Sequence, residues 1–154
     1  MVKKYTFNIS PQTNVRSTQG DRIYFRIPRD KLRAPGLKRL LRLERYNKYK
    51  IDLLALAKKQ RFTHPEQGGH LIFYIPVPKS WRKYKKSEMH MKLHQSKPDW
   101  DNLAKAWGDS LLSEDKHIAD IRVTKKWTNS ENGWIEFYCD APSVRSADNL
   151  MLPT

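Results

Sequence analysis

From Leu37 to Gln60 the chain has neither proline nor glycine, and Leu40, Leu41, Leu43, Tyr46, Ile51, Leu54, Leu56 and Ala57 recur at spacings of three to four among lysines and arginines. This pattern predicts one long helix, about 36 Å from end to end. It has one apolar stripe and a basic outer face. Pro35-Gly36 breaks the chain just before it. A stripe of that length has to be covered, and the remaining segments supply the means.

Those segments alternate. Tyr5 to Ser10 places Tyr5, Phe7 and Ile9 on one face, and Arg22 to Pro28 does the same with Ile23, Phe25 and Ile27; both read as strands. Residues 11–21 between them are rich in Pro, Gln, Thr, Asn and Ser and read as a loop. His64 to Gly69 is a turn, and Leu71 to Val77 is a strongly apolar strand stopped by Pro76 and Pro78. Asp101 to Leu112 reads as a second helix. His117 to Trp127 and Gly133 to Cys139 read as strands joined in a hairpin by the turn Asn129 to Gly133. The expected fold is a single α+β domain over residues 1–140, a mixed β-sheet with helices packed on one face. Residues 141–154 are expected to be a loose tail.

Lysine and arginine total 30 against 16 acids, a formal charge of +14. Such a surface gains free energy by displacing counterions from phosphates, so nucleic acid is the expected partner, ahead of a membrane surface. Cysteine occurs once, at Cys139, which excludes an internal disulfide and fits a reducing compartment. The N-terminal residues lack the apolar run of a secretory signal, and no segment is apolar enough to cross a bilayer. The expectation is a cytoplasmic, nucleoid-associated protein.

Lys79-Ser80-Trp81-Arg82-Lys83-Tyr84-Lys85-Lys86 interleaves basic and aromatic residues. Lys79, Arg82, Lys83, Lys85 and Lys86, with Lys97 and Lys125, are the candidate phosphate contacts. The plainer reading of the segment is a surface helix capped by Ser80. Against this basic background stands a knot of acids: Asp99, Asp101, Asp109, Glu114 and Asp115. Pro98 favours extended backbone before it, so Asp99 and Asp101 point to one side and can share or flank a metal. Asp101 also suits the N-cap of the following helix, with Lys105 and Asp109 at successive four-residue steps and Leu103, Ala106, Trp107, Ser110 and Leu111 on the opposite, core-directed face. Capping and an ordinary Asp101–Lys105 pair would explain part of this. Crowded carboxylates repel, however, and a hard cation such as Mg²⁺ would offset them. His90 and His94 have the spacing of a zinc clamp, without a Glu or Cys to complete it. The five tryptophans are read as packing residues, with Trp100, between the two aspartates, the candidate for stacking on a base.

The string Lys97-Pro98-Asp99-Trp100-Asp101-Asn102-Leu103-Ala104-Lys105, followed by Asp109-Ser110-Leu111 and Glu114-Asp115-Lys116-His117-Ile118, resembles the RusA family of Holliday-junction resolvases. The resemblance runs from about Leu71 to Cys139; before it the chain is not obviously family-like. It implies a homodimeric endodeoxyribonuclease dependent on Mg²⁺ or Mn²⁺ that cuts branched, four-way DNA in recombination and repair. Asp99, Asp101 and Asp115 match the family's metal-binding carboxylates and Lys105 its catalytic lysine. Glu114 stands where the family has the first aspartate of a pair. A second class of function, a non-catalytic DNA- or RNA-binding protein, suits the charge equally well; the concentrated acids favour the nuclease.

Overall fold

The computed structural model describes residues 2–140. The expected tail, residues 141–154, lies outside the described residues. The elements in order are β1 (Val2–Phe7), α1 (Ala34–Lys59), β2 (Gly69–Pro76), α2 (Lys83–Met89), α3 (Trp100–Leu111), β3 (Ile121–Thr128) and β4 (Trp134–Asp140), with short 3-10 turns at Gln19–Phe25, Arg29–Lys31 and Asp115–His117. The four strands form one mixed sheet in the order β1-β4-β2-β3. β2 and β3 are parallel, while β4 runs antiparallel to both β1 and β2. This is the expected α+β architecture.

β2 takes a central place because it is the most apolar strand: Leu71, Ile72, Phe73 and Tyr74 are all buried, so both its faces are covered. On one face, cross-strand rows such as Tyr5–Phe137–Leu71–Val123 and Phe7–Ile135–Phe73 meet the helices. Leu43, Tyr46, Tyr49, Leu53 and Ala57 of α1 and Leu103, Ala106 and Trp107 of α3 fill the same core. On the other face Glu136 is buried among its donors: Lys4 Nζ at 2.9 Å, Tyr74 Oη at 3.0 Å, Tyr138 Oη at 2.9 Å and Trp134 Nε1 at 3.3 Å. Burial pushes its carboxyl up, but these bonds together prevail and hold it below the usual range. No helix among the described residues is long and apolar enough to cross a membrane.

Three sequence expectations change. Residues 22–28 do not form a strand. Asp21 accepts the Thr18 amide at 2.7 Å and a forked pair of bonds from Arg39 at 3.0 and 2.8 Å, and the chain coils into 3-10 turns that leave Ile23 and Phe25 more than half exposed. The Arg39 guanidinium holds the Asp21 carboxyl well below its ordinary range. Within α1 the buried stripe runs through Leu40, Leu43, Tyr46, Tyr49, Leu53 and Ala57, while Leu41, Ile51 and Leu54 face out. The third change is at the closing pair of strands. β3 and β4 are not a hairpin, because β2 lies between them. The Asn129–Gly133 turn must cross the end of β2, and Gly133 makes the close approach possible. A Cβ there would press on the Tyr74 carbonyl oxygen, with Pro11 and Pro76 Cδ atoms at 3.0 Å.

Two glycines therefore have opposite requirements. Gly133→Ala is expected to destabilise the protein by about 1–3 kcal/mol, since backbone cannot yield as a side chain can. Gly108→Ala, inside α3 with only Leu112 Cδ1 at 3.9 Å from the new methyl group, is expected to stabilise by up to about 1 kcal/mol. Urea unfolding of both variants checks the pair of signs.

Candidate active site

The connection from β2 to its parallel neighbour β3 carries the candidate chemistry. After α2 the chain runs back along the exposed edge of β3: the Met91 amide donates to Trp127 O at 2.8 Å and the Trp127 amide to Lys92 O at 2.9 Å. Residues 95–99 then form a loop that enters α3. Two side chains fix this loop from beneath. His94 is buried with its ring 3.8 Å from that of Trp127, and its Nδ1 accepts the Ser96 amide at 3.4 Å. Lys125 lies on the helix-facing side of β3, in register with Phe73, and its ammonium donates to Ser96 O at 2.7 Å and Pro98 O at 2.6 Å. Burial lowers the pKa of this ammonium, and the nearby Asp99 carboxylate pulls it the other way. Burial, with the Lys125 charge adding to it, likewise lowers the His94 pKa.

On this support Asp99 and Asp101 line one open depression with Gln95, Ser96, Lys97, Trp100 and Lys125. The N-cap of α3 is Asp99 rather than Asp101, and its side chain makes no capping bond. Both carboxylates are exposed, so their oxygens remain available. The first turn of a helix also favours negative charge there. Two carboxylates facing water are a sufficient protein contribution for Mg²⁺, which keeps several waters and takes substrate phosphate oxygens as further ligands. Lys105 stands one turn on, exposed and without an ion pair among the described residues. Trp100, between the aspartates, is 60% exposed, alone among the five tryptophans in standing open to solvent.

Asp115, expected beside Asp99 and Asp101, is not brought to them within one chain. From Asp101 to the end of α3 is about 15 Å. The segment beyond it packs at the other end of α1, where Leu112, Ser113, Glu114 and His117 line a depression with Leu54, Ala57 and Lys58. Among the described residues no three His, Cys, Asp or Glu side chains gather as a metal site. Asp109, expected to continue the row of Asp101 and Lys105, instead accepts the Tyr46 hydroxyl at 3.0 Å; burial and that carboxylate together raise the tyrosine pKa.

The basic candidates divide. Lys79, Arg82, Lys83 and Lys97 are exposed and free of ion pairs among the described residues, as phosphate contacts require. Lys86 is half-buried in the last turn of α2, and Lys85 lies over the Trp81 ring, 4.2 Å from its centroid. The N-cap of α2 is Arg82, two residues later than Ser80 would place it. Lys125, expected on the DNA, has two of its three donors committed to the loop. The zinc clamp does not form: α2 ends at Met89, His90 Nδ1 accepts the Asn129 amide at 2.9 Å, and His94 is under Trp127. The Lys125 role was hidden in the sequence because a lysine in an alternating strand reads as a surface residue. Its parity with the apolar Ile121 and Val123 was the available signal.

Compared with known families, residues 25–136 match the model of the RusA endodeoxyribonuclease. The chain belongs to the RusA family. The match begins well before Leu71 and takes in α1, so the long basic helix is part of the RusA module rather than an addition to it. No curated protein matches the chain.

If Lys125 positions the RusA motif loop and does not grip DNA, Lys125→Ala should lower cleavage while leaving the salt dependence of DNA binding unchanged. Lys97→Ala, at a free exposed lysine, should instead make the slope of log K against log salt shallower by about one. Binding titrations across a range of salt, run beside cleavage assays, separate the two behaviours.

Proposed function

We propose that the protein is a divalent-metal-dependent nuclease that cuts four-way DNA junctions, in recombination and repair, as a homodimer. The observation that carries this reading is the pair Asp99 and Asp101. Their carboxylates are free of capping bonds and exposed, where a loop anchored from below enters the first turn of α3, in a chain of the RusA endodeoxyribonuclease family.

Asp99 and Asp101 would hold Mg²⁺ or Mn²⁺, with a phosphate of the scissile strand completing the site. When bound, the metal lowers the pKa of water and offsets charge building on the phosphate. The remaining work falls to the chain itself. Lys105, one turn along α3 from Asp101, faces solvent on the same helix and supports the added negative charge on the phosphate. Lys97 and the Lys79–Lys86 segment hold the flanking backbone. Trp100 offers a face on which an unpaired base at the branch can stack. Asp115, distant from the pair within its own chain, joins the metal set from a second copy. Two such centres in one dimer suit paired cuts in a four-way junction. A purely binding protein would gain nothing from placing two unbonded carboxylates beside its phosphate contacts, since like charges repel.

Asp99→Asn and Asp101→Asn are each expected to reduce Mg²⁺-dependent cutting of a synthetic junction by more than about a hundredfold, exceeding the 10–100-fold typical of residues one shell further out. Junction binding is expected to persist. Asp115→Asn should be equally inactive alone, and mixing it with Asp101→Asn should restore part of the activity, because one dimer then contains one complete centre. Cleavage that survives Asp101→Asn would remove that residue from the site. Failure of the mixture to recover would remove Asp115 from the partner's site.

A further inference from the structure

A second depression adjoins the first. Its lining is Pro11, Gln12, Thr13, Val15, Arg42, Arg45 and Pro98. Pro98 immediately precedes Asp99, so the two depressions lie on either side of one residue. The wall formed by residues 11–15 is tied to the active-site helix directly, the Asn14 amide donating to the Asn102 carbonyl at 3.1 Å. Arg42 and Arg45 stand three residues apart on α1, on the flank of its buried stripe. Their Cβ atoms are therefore about 5–6 Å apart.

These two arginines are set apart by the depression they line, and the acids around them leave them free. α1 contains two acids, Glu44 and Asp52. Glu44 is taken by Arg29 at 2.6 Å and Asp52 by Lys48 at 2.6 Å, while the nearby Asp21 is taken by Arg39 at 2.8 Å. Arg42 and Arg45 are exposed and have no ion-pair partner among the described residues. A guanidinium fork matches two phosphate oxygens and holds them in a fixed orientation, which a solvated lysine does not. Two free forks at neighbouring positions, in a groove opening beside the carboxylates, have the arrangement needed for consecutive phosphates of one strand.

We propose that Arg42 and Arg45 form a phosphate-binding groove that carries the DNA backbone into the carboxylate pair, opposite the basic segment before α3. This rests on the nuclease reading above and gives α1 a function within it. The strand held here is read through its backbone, so the groove contributes affinity and register but no base preference.

The test uses the full chain carrying Asp101→Asn, so that binding to a synthetic four-way junction is measured without cutting. Adding Arg42→Ala and Arg45→Ala should make the slope of log K against log salt shallower by about two. Lys58→Ala with Lys59→Ala removes the same charge at the far end of α1 and should leave the slope within about half a unit of the parent. Arg42→Lys with Arg45→Lys should keep the slope while weakening binding, and it guards against a folding defect, which urea unfolding monitors directly. In the cleavage-competent chain the alanine pair should raise KM, or shift the cut position, more than it lowers kcat. An unchanged slope in the alanine pair, with a wild-type chain that still binds and cuts junctions, would overturn the groove and leave the nuclease reading standing. A wild-type chain that cuts no junction under any divalent metal would overturn the nuclease reading first.

Discussion

The bond that the site depends on is the one from a single ammonium group to two carbonyl oxygens. Lys125 rises from the helix-facing side of β3, where its neighbours Ile121 and Val123 are apolar. A charge placed there is unfavourable unless its donors are satisfied. Ser96 and Pro98 satisfy two of them, and in doing so they fix the height and direction at which the chain enters α3. The sheet thus sets the position of Asp99 and Asp101 with the precision of a strand register, although one ends a loop and the other opens the helix that follows it. His94, wedged under the same loop against Trp127, removes the freedom that remains.

The two long helices and β2 were legible in the sequence because local pattern and global burial agree there. α3 presents Leu103, Ala106, Trp107 and Ser110 to the core in the arrangement its periodicity predicts. The readings that failed did so where a non-local partner decides the outcome. Ile23, Phe25 and Ile27 alternate as a strand does, but local bonds around Asp21 and Arg39 coil the segment instead. The Asn129–Gly133 turn has hairpin chemistry, yet the more apolar β2 takes the place between its flanking strands, and only Gly133 is small enough to let the turn pass.

The same division holds at the site. The Asp99–Asp101 pair could be read from spacing, because the two lie on either side of one residue. The place of Asp115 could not, because it depends on how rigidly α3 separates the ends of the motif. Arg42 and Arg45 were also indistinguishable from the other bases of α1 in one dimension. Their difference appears only in the fold, where both line the depression beside Pro98 while Glu44, Asp52 and Asp21 are occupied elsewhere. In a protein with so large an excess of positive charge, the informative cations are those left without a counter-charge.

The pairing of β1 with β4 sets Val2 opposite Asp140, at the same end of the sheet as Gly69 and Ile121. Lys125 and the carboxylate loop lie toward the opposite end. The first and last described residues therefore share one exit, directed away from the groove where nucleic acid is proposed to run. A label placed at Val2, or after Asp140 in a chain shortened to that residue, would emerge at the end of the sheet remote from that chain's own Asp99–Asp101 pair. Because Val2 and Asp140 are paired, a short peptide could bridge them in a chain shortened to Asp140, leaving room to open it elsewhere and keep the catalytic loop intact.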